Sequence, residues 1–183
     1  MRIIRRTPRA NLRAEHKSET SEWGSPPPLV AGLQRLFGPF DLDPACGNPA
    51  FAKAPWFYGP RENGLIQPWF GHTYVNPAWA KGDGNANMSA WLAKARLERD
   101  AARVRQVTML LPCRPDTKWY RAHIHSGASM VLLIHGRLTF LRMVNGHLKT
   151  TNAPFPAMVV VYDHATNRTP LYGMIDRDAN IIG

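Results

Sequence analysis

At 183 residues the chain has room for one domain, and 44% hydrophobic with 10% aromatic residues suffices for a packed core, which excludes a wholly disordered chain. Apolar runs such as Val107–Leu111, Met130–Ile134 and Ala157–Tyr162 fall far short of the roughly 18 residues a membrane span needs. Charge is the outlier: 23 Lys+Arg against 13 Asp+Glu leave +10, half of it within residues 1–17, and such an excess favours a polyanion such as nucleic acid as partner.

Residues 1–20 are polar, basic and aperiodic and read as a flexible arm with no apolar segment of a secretory signal; residues 21–183 read as a single domain. Ser25 suits a helix N-cap, Pro26 and Pro27 a first turn, and Leu29, Leu33, Leu36 and Phe37 recur at helical spacing up to Gly38. Phe40–Asp43 reads as a short strand running into Pro44-Ala45-Cys46-Gly47. Residues 48–72, rich in proline, glycine and aromatics, read as a long loop, and a loop of that length inside a compact domain is usually functional. Thr73–Val75 is a second short strand, Gly82-Asp83-Gly84-Asn85 a mobile turn, and 88–103 an amphipathic helix built on Trp91, Leu92, Ala95 and Leu97. The apolar Val107–Leu111 has the composition of a buried parallel strand closed by Pro112. Asp116 suits the start of a helix running to His125, and Ser129–Ile134 is another buried strand. Arg137–Val144 and His147–Thr151 alternate around Asn145-Gly146, the strongest short hairpin signal. With Ala157–Tyr162 and Leu171–Ile175 as further strands, the pattern predicts a three-layer α/β domain, a mostly parallel sheet with helices on both faces.

Two strand ends carry chemistry. In Asp41-Leu42-Asp43-Pro44-Ala45-Cys46-Gly47 a strand delivers an acid and then a small-residue turn, which is how doubly wound folds place a carboxylate against a nucleotide-like cofactor. By itself that stretch is also an ordinary turn. In Thr73-Tyr74-Val75-Asn76-Pro77-Ala78-Trp79 a strand ends in an amide, a proline and an aromatic. The side-chain oxygen of Asn76 and the carbonyl of Pro77 suit two hydrogen bonds from one exocyclic amino group, with Trp79 stacked on the base that carries it. Two acceptors on that group favour a pyramidal nitrogen whose lone pair is free to attack. The plainer reading makes Asn-Pro a turn starter and Trp79 a core residue.

These stretches resemble known motifs. Asn76-Pro77-Ala78-Trp79 resembles the (Asp/Asn)-Pro-Pro-(Tyr/Phe/Trp) motif of amino-group DNA methyltransferases, with Ala78 in place of the second proline. Asp43-Pro44-Ala45-Cys46-Gly47 resembles their S-adenosylmethionine motif, and Trp23-Gly24-Ser25-Pro26-Pro27 the (Ser/Thr)-Pro segment ahead of it. Together with Glu62-Asn63-Gly64-Leu65, Leu110–Tyr120, Gly136–Phe140 and Ala153–Pro156, the chain from about Glu22 to Tyr162 resembles the phage-type Dam-like DNA N6-adenine methyltransferases. The resemblance implies a Rossmann-like methyltransferase fold, S-adenosylmethionine as methyl donor, and methylation of N6 of an adenine flipped out of double-stranded DNA. It implies that Asp43 is the cofactor acid, that Trp23, Ser25, Pro26 and Ala45 lie by the cofactor, and that Glu62 or Asn63 contacts its adenine. Asn76, Pro77 and Trp79 become the catalytic set. The family is common in phages and prophages, which implies a bacterial cytoplasm.

Arg114 and Lys118, at the mouth of the strand ending at Pro112, are candidate phosphate contacts, as are Arg137, Arg142 and Lys149 on the hairpin. The hairpin equally reads as a closure of the sheet edge. His123 and His125 with Cys113 match no familiar zinc spacing, so no metal is expected, and Cys46 and Cys113 read as reduced thiols. Two rival functions stay open: a DNA-binding relative without activity, and a methyltransferase acting on cytosine N4 or on RNA.

Overall fold

In the computed structural model, which describes residues 4–5, 23–79, 88–164 and 169–183, the apolar runs form the centre of a nine-stranded mixed sheet. The elements are β1 (Ile4–Arg5), α1 (Pro27–Phe37), β2 (Leu42–Asp43), a 3-10 turn at Pro49–Phe51, β3 (Trp56–Phe57), β4 (Gly71–Val75), α2 (Met88–Asp100), β5 (Val104–Pro112) and a π-helix at Tyr120–His125. They continue with β6 (Met130–Ile134), β7 (Thr139–Val144), β8 (His147–Asn152), β9 (Ala157–Tyr162), β10 (Leu171–Ile175) and β11 (Ile181–Ile182). The sheet order is β1-β3-β2-β4-β5-β9-β6-β10-β11, and β7 pairs with β8 as a separate ribbon. Strands β2, β3, β4, β5, β6 and β10 run one way and β1, β9 and β11 the other, so the sheet is mostly parallel, with β9 antiparallel between β5 and β6.

Strand side chains alternate between faces, and the two faces bury separate cores. Tyr74, Leu110, Val159 and Val161 pack with Leu29, Val30 and Leu33 of α1 on one side. Val75, Val107, Met109, Leu111, Val160 and Tyr162 pack with Trp91, Leu92 and Ala95 of α2 and Ile124 of the π-helix on the other. Helices thus cover both faces, and each fully buried Leu or Val contributes about 1.5–3 kcal/mol of transfer free energy.

Several local expectations shift. Pro26, not Ser25, precedes α1, and no side chain caps the helix. Pro27 and Pro28 simply lack N–H groups that would otherwise go unpaired. Residues 48–72 hold a 3-10 turn and β3, a strand of two residues that is too short to show alternation. Asp116 does not cap a helix; its carboxylate takes Nε and Nη2 of Arg114 at 3.2 Å each, and the segment closes as a π-helix. Of the 1–20 arm only Ile4–Arg5 is described, paired with Trp56–Phe57, and the turn expected at 82–85 lies outside the described residues. The hairpin forms at Asn145-Gly146, both with positive φ (50° and 77°), the backbone a two-residue turn of matching twist requires.

This topology sets the carboxyl ends of β2, β4 and β5 side by side, so Asp43, Asn76 and Cys113 leave the sheet along one edge. That edge is where open α/β sheets bind ligands.

Candidate active site

Positions 74 and 76 project to the same side of the strand end, and both reach the segment before α1. The Tyr74 hydroxyl donates to Ser25 Oγ at 2.7 Å, while Asn76 Nδ2 donates to Ser25 Oγ and to the Trp23 carbonyl, each at 3.1 Å. A carbonyl only accepts, so Trp23 fixes which end of the amide is nitrogen. Both Asn76 N–H groups are therefore used within the protein, and the carboxamide oxygen takes no donor among the described residues. Ser25, expected as a helix cap, instead ties this segment to the strand end.

Asp43 closes β2 and is 4% exposed, with Oδ2 accepting the Lys53 backbone N–H at 3.1 Å. Burial raises its pKa from 3.8 to about 7, although the backbone N–H groups of Lys53 and Ala45 and the charge of Lys53 pull the other way. The Tyr74 hydroxyl is also pushed up, chiefly by burial and further by the charge of Asp43, so the two groups feel one another. The 59–65 loop folds onto this turn so closely that a Cβ on Gly64 would stand 2.0 Å from the Pro44 carbonyl. Within that loop Glu62 Oε2 accepts from Gly59 N at 2.9 Å and Asn63 Oδ1 from Leu65 N at 3.2 Å. The 3-10 turn approaches from the other side, its Phe51 ring lying where a Cβ on Gly24 would be 2.7 Å away. Trp23, Ser25, Asp43, Ala45, Glu62 and Asn63 thus belong to one cluster of loops that also holds Asn76.

Trp79 is half-buried and meets Phe140 of β7 edge to face, with centroids 5.1 Å apart at 79°. Phe140 meets Trp23 the same way at 5.6 Å and 71°. The core reading of Trp79 is therefore partly what the fold shows: the indole packs against the α1-side core, with Nε1 buried and without a hydrogen-bond partner among the described residues. A bridge between Gly24 and Leu141, with N–O distances of 2.7 and 2.8 Å, fastens the ribbon to the segment that holds Asn76. A family model described as DNA N-6-adenine-methyltransferase (Dam) matches residues 13–181. The chain belongs to the Dam family. No curated protein and no solved structure matches it.

On this Dam-family scaffold the five basic candidates divide. Arg114 is paired with Asp116 and lies over the Phe155 ring at 5.2 Å, so its charge is already partly matched. Lys118 is exposed beside the π-helix. Arg137 is exposed and donates to the Ala153 carbonyl at 3.3 Å. Arg142 stands directly opposite Lys149 in the β7-β8 register, and its Nε is buried with no hydrogen-bond partner among the described residues. Among the described residues no group of three His, Cys, Asp or Glu is placed to hold a metal, and His123 Nε2 meets Ser89 Oγ at 2.9 Å. No helix among the described residues is long and apolar enough to cross a membrane.

Two residues of this cluster carried no role in the sequence. Tyr74 reads there as a plain strand residue, although its position two before Asn76 is the period that puts both on one face. Phe140 reads as an apolar position of a hairpin, and nothing local shows that it supports Trp79 and Trp23 together.

Proposed function

We propose that this Dam-family chain is an S-adenosylmethionine-dependent DNA methyltransferase, built on a Rossmann-like domain, that methylates adenine N6 of a base flipped out of the duplex. The observation that carries this reading is the Asn76 amide, held by both hydrogens of its nitrogen at the strand end near Asp43, with an oxygen that takes no donor among the described residues.

The residues present suit the cofactor. A carboxyl buried enough to titrate near 7, even with the charge of Lys53 pulling it down, is matched by a positively charged ligand, which would return it to the ionised form. Ser25 accepts two hydrogen bonds and keeps its own hydrogen to donate to a carboxylate. Asp43 and Ser25 would hold the cofactor, with Trp23, Pro26, Ala45, Glu62 and Asn63 around it. S-adenosylmethionine supplies an electrophilic methyl group.

The chain supplies orientation. Asn76 Oδ1 and the Pro77 carbonyl accept the two N–H groups of the adenine amine, which draws its lone pair out of conjugation with the ring and meets the positive charge that develops on nitrogen. Trp79 offers the base an aromatic surface, backed by Phe140. No covalent enzyme intermediate is needed, and neither cysteine takes part. Arg142 and Lys149, opposed like charges on an exposed ribbon, suit a phosphate backbone; Arg137 and Lys118 add to the same field, and Arg114 joins it only in so far as Asp116 leaves its charge unmatched.

The reading of a DNA-binding relative without activity draws on one observation: Glu62 and Asn63 each turn one side-chain oxygen to a backbone N–H of their own loop. Incubation with methyl-labelled S-adenosylmethionine and unmethylated duplex DNA, single-stranded DNA or RNA separates the readings. Label in the duplex supports the proposal. Label only in RNA moves the substrate, and DNA binding with neither label nor cofactor affinity overturns it.

A further inference from the structure

We infer that Tyr74 is a positioning residue for the transfer, holding Ser25 as an acceptor so that Ser25 holds the Asn76 amide with its oxygen turned to the substrate amine. This rests on the role given to Asn76 above. Tyr74 lies wholly in the core, its ring 4.8 Å from that of Phe40, where phenylalanine would fill the space as well. A buried hydroxyl is costly unless bonded, and this one bonds Ser25 Oγ at 2.7 Å.

Ser25 is 1% exposed, which keeps water from competing for its oxygen. A serine hydroxyl has two acceptor sites and one hydrogen. The Tyr74 O–H and the Asn76 N–H fill both acceptor sites, so the Ser25 hydrogen points at neither residue. Without the Tyr74 hydroxyl one acceptor site empties and the Ser25 hydrogen is free to rotate toward the amide. There it attracts Oδ1, the atom the substrate needs, and works against the hold of the Trp23 carbonyl.

The test measures single-turnover methyl transfer, cofactor and DNA affinity, and melting temperature for wild type, Tyr74→Phe, Ser25→Ala and the double variant. Tyr74→Phe is expected to transfer about fivefold to tenfold more slowly at saturating cofactor, the change one net hydrogen bond makes, with DNA affinity unchanged. Ser25→Ala falls further, and the double variant falls no further than Ser25→Ala, because Tyr74 acts only through Ser25. A Tyr74→Phe chain that melts lower yet transfers at the wild-type rate overturns the inference and leaves Tyr74 a packing residue. So does a double variant whose loss is the product of the two single losses. Where Tyr74→Phe does not fold, Ser25→Ala decides: at saturating cofactor it is expected to transfer more slowly than wild type, and transfer at the wild-type rate overturns the inference. A wild-type chain that transfers nothing overturns the proposed function, and this inference with it.

Discussion

The strand end at Asn76 and the β7-β8 ribbon meet at the Gly24–Leu141 bridge, yet their polar groups are arranged in opposite ways. At Asn76 both donors are bound, the serine that binds one of them is itself bound by Tyr74, and the amide oxygen takes no donor among the described residues. On the ribbon, Arg142 faces Lys149, Arg142 Nε is buried without a hydrogen-bond partner among the described residues, and every residue of β8 is exposed. The first arrangement is complete in the free chain and needs no reorganisation when an amine arrives. The second costs stability until an anion neutralises it. Orientation is built in advance here, and grip is left for the partner to complete.

Asn76→Ala attacks the completed half and carries the largest effect: transfer is expected to fall about a thousandfold, the upper range for removing one preorganised polar group. Cofactor and DNA affinities measured by titration should hold. Asp43→Asn comes next. The wild-type carboxyl binds a cation only when ionised, so cofactor affinity is expected to rise about tenfold between pH 6 and pH 8, as a group titrating near 7 dictates, and to be weak and flat with pH in Asp43→Asn. The stability sign is opposite in the free chain. A carboxyl whose folded pKa is raised binds its proton more tightly when folded, so its contribution is full below 3.8 and is lost as pH rises to about 7. Melting temperature across that window should be flatter in Asp43→Asn.

The unfinished half yields smaller effects. Arg142→Ala and Lys149→Ala are each expected to lower the slope of log DNA affinity against log salt by about 1, with weakening spread evenly over DNA sequences. Melting of the free Lys149→Ala chain should not fall, since the substitution removes a repulsion. Gly146→Ala is the mildest: at φ 77° a Cβ costs about 1 kcal/mol, which a thermal melt should show as a drop of about 2–4 °C.

What was legible in the sequence follows the length scale of its causes. Val107–Leu111, Ala157–Tyr162 and the Asn145-Gly146 turn announce themselves through local composition, and the strand ends at Asp43 and Asn76 are where the short strands were read. Beyond that hairpin, the partner of each strand was not legible. Val107–Leu111 reads as a buried strand, yet nothing local says that its neighbour Ala157–Tyr162 runs against it. The role of Ser25 was hidden for the same reason: a serine before two prolines suits a cap, and only the approach of β4 gives it Tyr74 and Asn76 instead. Arg114 reads as a phosphate contact from its place at the mouth of the strand ending at Pro112; that Asp116, two residues on, partly matches its charge shows only in the fold.

The most direct test of the account is nucleoside mass analysis of unmethylated duplex DNA after incubation with S-adenosylmethionine and either wild type or Asn76→Ala. The account predicts N6-methyldeoxyadenosine from wild type and none above background from Asn76→Ala. N4-methylcytosine as the product, or equal N6-methyldeoxyadenosine from both chains, would contradict it.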